Sequence, residues 1–349
     1  MKLVSVEDLK ENDVLAQDVL TEEYRVLLGR GTVLKQEYIE KLEKLDIDEV
    51  YLEEKEDIEE IHVLHDDIEE KVKARVKSIL EQHVYRLNSQ LEEVLTEAET
   101  IINNVLENEK IVEKIYDIQE RSADLYEHAV SVCSLATLTA LKYGLKKEEI
   151  YDVAVASLLH DLGLRYIATN YEDVDIKELA LTEQEEFKKH TVYGYTVLKS
   201  EDWLSDSVKE IVLNHHEHLD GSGYPLNATK LSASCQIVAI CDLFDEMICG
   251  VGNVRTHVYV AIGHLRNYSG IWYDEKLIDT FLQFTAVYPV NTKVRLTTGE
   301  VAVVIKQNAN FPEKPIVKIV KDESGKSVNN NKEINLLDNA KIMITEVIN

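Results

Sequence analysis

No proline occurs in the first 224 of the 349 residues; Pro225, Pro289, Pro312 and Pro315 all fall after that point. Proline removes a backbone donor and breaks helix interiors, so a proline-free stretch rich in Glu, Lys, Leu and Ala is free to be helical over most of its length. The predicted fold class is mainly α. At about 150 residues per domain, the chain is long enough for two to three domains. Its 45% hydrophobic content supplies a core and its 30% charged content a polar surface.

Patterning divides the chain further. In the opening residues DVLAQDVL, RVLLGRGTVL and EVYL read as strands and EYIEKLEKL as a helix, giving a small α/β module over residues 1–57. Gly29-x-Gly31 lacks the following GxxG or GK[ST] of a phosphate loop and reads as a hairpin turn. From His62 to Ile118, apolar residues recur at threes and fours: Ile68, Val72, Val76, Ile79, Leu80, Leu87, Leu91, Val94, Leu95, Ala98, Ile101 and Val105. That predicts one long amphipathic helix or two, a helical linker over residues 58–119. Its stripe packs against its own domain or against a second copy, and its length predicts a homodimer through residues 64–118. Beyond Pro289 the rhythm changes. KVRLTTGEVAVVI and PIVKIV, the latter followed by an ESGK turn, predict a small β-rich domain over 289–349.

Charge excludes some functions. The net charge is −27, and residues 289–349 contribute +2, so the preceding 288 residues carry −29. Such a surface is a poor partner for duplex nucleic acid or an anionic membrane. Cys133, Cys235, Cys241 and Cys249 form no CxxC pair, which suits reduced thiols in a cytoplasmic protein. The N-terminus shows no apolar targeting segment.

Six of the eleven histidines, His128, His160, His190, His215, His216 and His218, crowd into residues 128–218. Neutral imidazoles are nitrogen ligands and carboxylates can bridge ions, so clustered His and Asp can form a metal site. His160-Asp161 follows VAVASLL and ends a buried helix; neighbouring side chains there diverge by about 100° and can flank a metal. His215-His216 is followed by Glu217, Asp220 and the turn GSGYP. Asp242 lies inside the apolar run QIVAICDLF, where an unpaired carboxylate is costly and a metal relieves the cost.

His128, HDLG at 160–163, His190 in HTVYG, HHEHLDGSGYP at 215–225 and Asp242 together resemble the HD-GYP family of HD-superfamily cyclic di-GMP phosphodiesterases of bacterial signalling. The flanking segments are similar to modules of HD-GYP proteins from Gram-positive bacteria. The resemblance implies a helical phosphohydrolase domain over residues 120–288, and two divalent transition metals (Fe, Mn, Zn, Co or Ni) held by His128, His160, Asp161, His190, His215, His216 and Asp242. It implies that Asp161, with His160 beside it, bridges the metals while a bridging hydroxide attacks phosphorus. Tyr224, Gly223, Pro225 and Arg165 are the implied substrate-binding residues and a cyclic dinucleotide the implied substrate. A third metal in some members uses a Glu one turn before the first His; here that position is Asp124.

The sequence also departs from the family pattern. Leu164 replaces the Lys of HDxGK, and Gln236 replaces an Arg before the final Asp. DEMICGVGNVR stands where the family reads DALTSxRxY, keeping Asp245 and leaving Arg255 as a replacement base. The expected function is therefore a phosphodiesterase weakened at its phosphate contacts, to be strengthened by Leu164→Lys and Gln236→Arg. The alternative is a catalytically impaired nucleotide-sensing or protein-interaction module.

Overall fold

The computed structural model describes residues 2–6, 9, 15–20, 26–32, 34–45, 47, 49–52, 62–86, 91–107, 115–118, 121, 123–308, 311–328 and 332–348. They fall into two units, residues 1–60 with the last two residues, and residues 61–347.

In the first unit, β1 (Lys2–Ser5) pairs antiparallel with β4 (Glu49–Leu52), and β2 (Val19–Leu20) with β3 (Val26–Leu28). Helix α1 (Gln36–Lys44) contributes Ile39 and Leu42 to a small core with Leu15, Leu34, Val50 and Leu52. The Gly29-x-Gly31 segment is a turn: Thr32 N–H reaches Gly29 O at 3.2 Å, and Gly31 takes a positive φ of 75°. Of DVLAQDVL, residues 13 and 14 lie outside the described residues.

The second unit is helical up to residue 282. The apolar repeat forms two helices, α2 (Asp66–Arg86) and α3 (Val94–Glu107); Leu87 lies outside the described residues. They pack on α4 (Leu125–Tyr143), and α3 also on α5 (Lys147–Leu159). Val72, Val76, Ile79, Leu80, Val94, Ala98, Ile101 and Val105 are all buried in one core with Val130, Leu138 and Leu158. The described part of the stripe is thus largely covered within the chain, and the homodimer through residues 64–118 remains an expectation. The core also joins residues on both sides of the 119/120 boundary.

Local chemistry sets the helix ends. Asp124 caps α4 by accepting from Tyr126 N and Glu127 N at 2.9 and 3.0 Å, and Gly144 ends it with φ 91°. Ser205 and Ser232 cap α8 (Asp206–Asn214) and α9 (Ala233–Cys249). Helix α9 is buried along nearly its whole length and packs on α4, α5 and α8. Between α5 and α8 lie a 3₁₀ turn (Leu162–Tyr166), α6 (Leu181–Lys188) and α7 (His190–Leu198); α10 (Val258–Asn267) and α11 (Glu275–Leu282) follow α9.

The chain then forms an antiparallel five-stranded sheet in the order β8-β7-β6-β5-β9, from β5 (Lys293–Leu296), β6 (Val301–Lys306), β7 (Ile316–Lys321), β8 (Glu333–Asn335) and β9 (Ile344–Val347). Buried Asp117 ties it to the helices, its Oδ1 accepting from Val290 N and Gln307 Nε2 at 2.8 and 2.9 Å. All four cysteines are free and buried. Among the described residues no helix is long and apolar enough to cross a membrane.

Candidate metal centre

Five segments meet at one point. His128 comes from α4, His160 and Asp161 from the end of α5, His190 from the start of α7, His215 and His216 from the end of α8, and Asp242 from the middle of α9. Glycine allows the approach. A Cβ on Gly163 would lie 1.8 Å from His190 O, so only glycine lets the turn after Asp161 lie against α7. A Cβ on Gly223 would lie 2.5 Å from His216 O and from Glu217 Cα, so only glycine lets the GSGYP loop fold back over the two histidines.

The ligand-type atoms form two groups. His128 Nε2 and His160 Nε2 lie 3.2 Å apart and face Asp242 Oδ1 at 3.0 and 3.2 Å. His190 Nε2 and His215 Nε2 also lie 3.2 Å apart, with His216 close by. Asp161 spans both groups: Oδ2 is 3.4 Å from His160 Nε2 and 3.6 Å from His128 Nε2, while Oδ1 is 3.5 Å from His190 Nε2 and 3.9 Å from His215 Nε2. Tetrahedral coordination at about 2.0–2.1 Å per bond puts neighbouring ligand atoms about 3.3 Å apart, so the 3.2 Å spacings fit metal coordination. Asp242 Oδ2, fully buried, finds no hydrogen-bond partner among the described residues, which suits a metal ligand.

The other ring nitrogens orient the ligands. Nδ1 of His160, His190 and His215 lies 2.7, 2.7 and 2.9 Å from the carbonyl three residues earlier, of Ser157, Phe187 and Val212. A carbonyl only accepts, so each Nδ1 carries a proton and each Nε2 faces inward. His128 Nδ1 instead meets Asp245 Oδ2 at 2.7 Å, and Asp245 also accepts from Arg121 and Ser131.

Electrostatics separate the two groups. Burial disfavours the His128 cation, but hydrogen bonds to Asp242 and Asp245 overcome it and hold the ring well above the usual imidazole range. Burial is likewise overcome at His160, which Asp161 and Asp242 raise to about 10. In the other group burial and the neighbouring imidazoles hold His215 down to about 3 and His216 well below its ordinary value. Burial lowers His190 too. That group therefore presents neutral nitrogens, while in the first a bound cation would take the place of protons.

Of the implied substrate residues, Tyr224 stacks on His216 with centroids 4.8 Å apart and planes at 22°. Gly223 and Pro225 flank it on the loop. Arg165 is half-buried and hydrogen-bonds toward Tyr171, whose hydroxyl burial and Asp161 push up while Arg165 opposes. Asp124 is engaged through Oδ1 in its helix cap and through Oδ2 in an ion pair with Lys73 at 3.1 Å. Glu217 is fully buried but faces away from the metal cluster, accepting from Leu226 N and Ala228 N to pin the loop.

Both charge-restoring substitutions meet an obstacle. Leu164 is 2% exposed, inside an apolar cluster with Ile176, Phe187, Cys249 and Val251. A lysine there would bury its stem and charge among hydrocarbon. Gln236 accepts from Asp274 N at 2.8 Å and donates to Leu231 O at 3.3 Å, holding the start of α11. Arg255 is also committed, donating to Arg121 O and Asp173. These three side chains are committed to packing and to local hydrogen bonds in this chain.

Sequence reading missed two groups. Lys188 places Nζ 5.6 Å from the Tyr224 ring centroid, a cation beside the stacked Tyr224–His216 pair. Glu246, one helical turn after Asp242, reaches the same cluster as His216. The i, i+4 spacing of Asp242 and Glu246 was the available signal for the second; Lys188 carried none.

Comparison with known proteins agrees with this geometry. The model of the HD domain family matches residues 110–277, and that of the KOW domain associated with HD domains matches residues 293–349. A cyclic di-GMP phosphodiesterase of Pseudomonas aeruginosa is 28% identical over 56% of this chain and 47% of its own length. One of Thermotoga maritima is 29% identical over 58% of this chain and 55% of its own. A 3'3'-cGAMP-specific phosphodiesterase of Vibrio cholerae is 32% identical over 46% of this chain and 28% of its own. The chain thus spans about half or less of the length of these relatives. The solved structure of a HDG"Y"P protein from Bdellovibrio bacteriovorus shares the fold, with a TM-score of 0.52 at 16% identity over 80% of this chain and 97% of that one. Residues 110–277 are therefore an HD domain of the HD-GYP type.

Proposed function

We propose that the chain is a metal-dependent phosphodiesterase acting on cyclic di-GMP or a related cyclic dinucleotide. The observation that carries this reading is Asp161, whose two oxygens face two separate groups of imidazoles, as a bridging carboxylate between two cations requires. His128, His160 and Asp242 would hold one ion and His190, His215 and His216 the other, with Asp161 between them. Two such divalent transition metals would offset phosphate charge and generate the attacking nucleophile from water near neutral pH. The protein's own part is orientation. Backbone carbonyls and Asp245 fix the imidazole tautomers, and Glu217 holds the loop that carries Tyr224. Lys188 sets a cation beside Tyr224 in a protein whose net charge repels a dinucleotide. Buried free cysteines suit the reducing cytoplasm. The relatives named above act on cyclic di-GMP or 3'3'-cGAMP, which supports the substrate class.

A sensing module without turnover is the second reading, because Leu164 stands where the family pattern HDxGK carries its Lys. Metal analysis of anaerobically purified protein, followed by incubation with cyclic di-GMP, separates the two. The enzyme should hold at least about two transition metals per chain and release linear product, and Asp161→Asn should lose both properties. Well-folded protein without metal in aerobic and anaerobic preparations alike refutes the metal centre. Metal-loaded protein that binds the dinucleotide without cleaving it supports the sensor.

A further inference from the structure

His128 differs from His160, His190 and His215 in what orients it. Their Nδ1 atoms rest on carbonyls three residues earlier, whereas His128 Nδ1 depends on a side chain of α9, Asp245, at 2.7 Å. Asp245 is fully buried, and a buried carboxylate needs both donors and a cation. Ser131 Oγ donates to its Oδ1 at 2.6 Å, and the Arg121 guanidinium donates to Oδ2, the oxygen that meets His128. Arg121 is itself held in place. Its N–H donates to Ile248 O on α9 at 3.3 Å, and its carbonyl accepts from Arg255 at 2.6 Å, whose guanidinium also pairs with Asp173 at 3.0 Å. Arg121 Nε lies 3.2 Å from Glu127 Oε1, and Glu127 Oε2 lies 2.5 Å from Lys73 Nζ on α2. Glu69, one turn before Lys73, also feels the Arg121 charge, which opposes the upward push that burial gives its carboxyl. Lys73, Glu127, Arg121, Asp245 and His128 thus form a line of paired side chains that runs from α2 to a candidate ligand. Side-chain exposure falls along it, from 30% at Lys73 through 25% and 16% to 0% at Asp245, so solvent screens the inner links least.

We propose that Arg121 is a positioning residue for the ion held by His128, His160 and Asp242, acting through Asp245 on His128, and that Lys73 ties this placement to α2. A carboxylate on the far ring nitrogen fixes the orientation of a metal-bound imidazole and raises its basicity. Arg121 keeps that carboxylate in place and supplies its compensating cation. His190 and His215, which serve the other ion, are oriented by carbonyls and do not draw on Arg121. The inference rests on the proposed dinuclear centre and adds a selective control: the first ion, not the second, answers to a residue on α2.

The test is Co²⁺ titration of the chelator-stripped full chain, with bound metal counted by elemental analysis and coordination followed by the visible absorption of Co²⁺. Wild type should take up two ions. Arg121→Met should weaken one of them about 10- to 100-fold, the range for loss of a group that supports a metal-bound histidine, and leave the other unchanged. The spectrum of its remaining ion should match that of His128→Ala, which identifies the ion that is lost. Arg121→Lys should recover most of the affinity. Asp245→Asn should weaken the same ion, and adding Arg121→Met to it should cost little more, as residues acting in series require. Lys73→Met, at the partly exposed end of the line, should weaken that ion about two- to five-fold, and decides the matter should Arg121→Met fail to fold by circular dichroism. Equal weakening of both ions by Arg121→Met, or of neither, overturns this proposal and leaves the dinuclear centre standing. Lys73→Met with wild-type affinity for both ions overturns it as well. A wild type that binds fewer than two divalent transition metal ions overturns the dinuclear reading, and this one with it.

Discussion

Gly163→Ala isolates the contact on which the centre is built. The new Cβ would sit 1.8 Å from His190 O and 2.6 Å from His190 C, both backbone atoms of the segment that carries a ligand. Contacts under 3.0 Å are not tolerated, so the Asp161 turn and α7 must separate by about 1.2 Å. No side chain can rotate to absorb this movement. Overpacking costs about 1–3 kcal/mol, and this site, with backbone on both sides, falls at the upper end. For a unit of this size each kcal/mol lowers Tm by about 2–4 °C, which predicts a fall of about 6–12 °C by calorimetry. The same movement pulls Asp161 Oδ1 away from His190 Nε2, now 3.5 Å apart. Displacements near 1 Å can cost about a hundred-fold in a preorganised site, so metal content and turnover should fall together. Gly263→Ala is the control. It lies inside α10 with nothing within 4 Å of a new Cβ, and should stabilise by about 0.5–1 kcal/mol. A Gly163→Ala protein with wild-type Tm and full metal content would refute the close-approach argument.

Leu164→Lys should destabilise by about 3–5 kcal/mol by leaving a buried charge uncompensated, whereas Leu164→Met should cost less than about 1.5 kcal/mol; denaturant unfolding measures both, and a Lys variant as stable as wild type and more active would overturn the packing account. Asp124→Ala should cost about 1 kcal/mol through the lost cap, with metal content unchanged. Hydrogen bonds from Glu127 N and Lys73 outweigh burial and hold the Asp124 carboxyl below its usual value, so its contribution is present above the ordinary carboxylate range and lost as pH falls. The gap between wild type and Asp124→Ala should then narrow in acid, and a gap independent of pH excludes the charged part of that role. Lys188→Met should raise KM for cyclic di-GMP about five-fold, as an exposed ion pair of about 1 kcal/mol predicts, with kcat and metal content little changed; an unchanged KM at low salt removes Lys188 from the substrate path.

Much of this protein was legible in residue order. The proline-free stretch announced helices, the change of rhythm after Pro289 announced strands, and the histidines with Asp161 and Asp242 announced a buried His/Asp cluster. These signals are local: helix, strand and ligand chemistry are properties of residue type and near spacing. What the sequence could not rank was which polar groups face one another. Glu217 and Glu246 both follow ligand residues closely, yet the first turns to loop amides and the second into the cluster, because helix phase and tertiary packing set side-chain direction. Asp124 stands at a plausible ligand position but is drawn to its own helix start and to Lys73, a partner on α2. The apolar stripe of α2 and α3 suits a second copy as well as it suits α4 and α5, because burial depends on matching surfaces and not on who supplies them. Only the tertiary structure decided that the chain covers that stripe itself, and that Leu164 lies in hydrocarbon where sequence comparison alone put a missing charge.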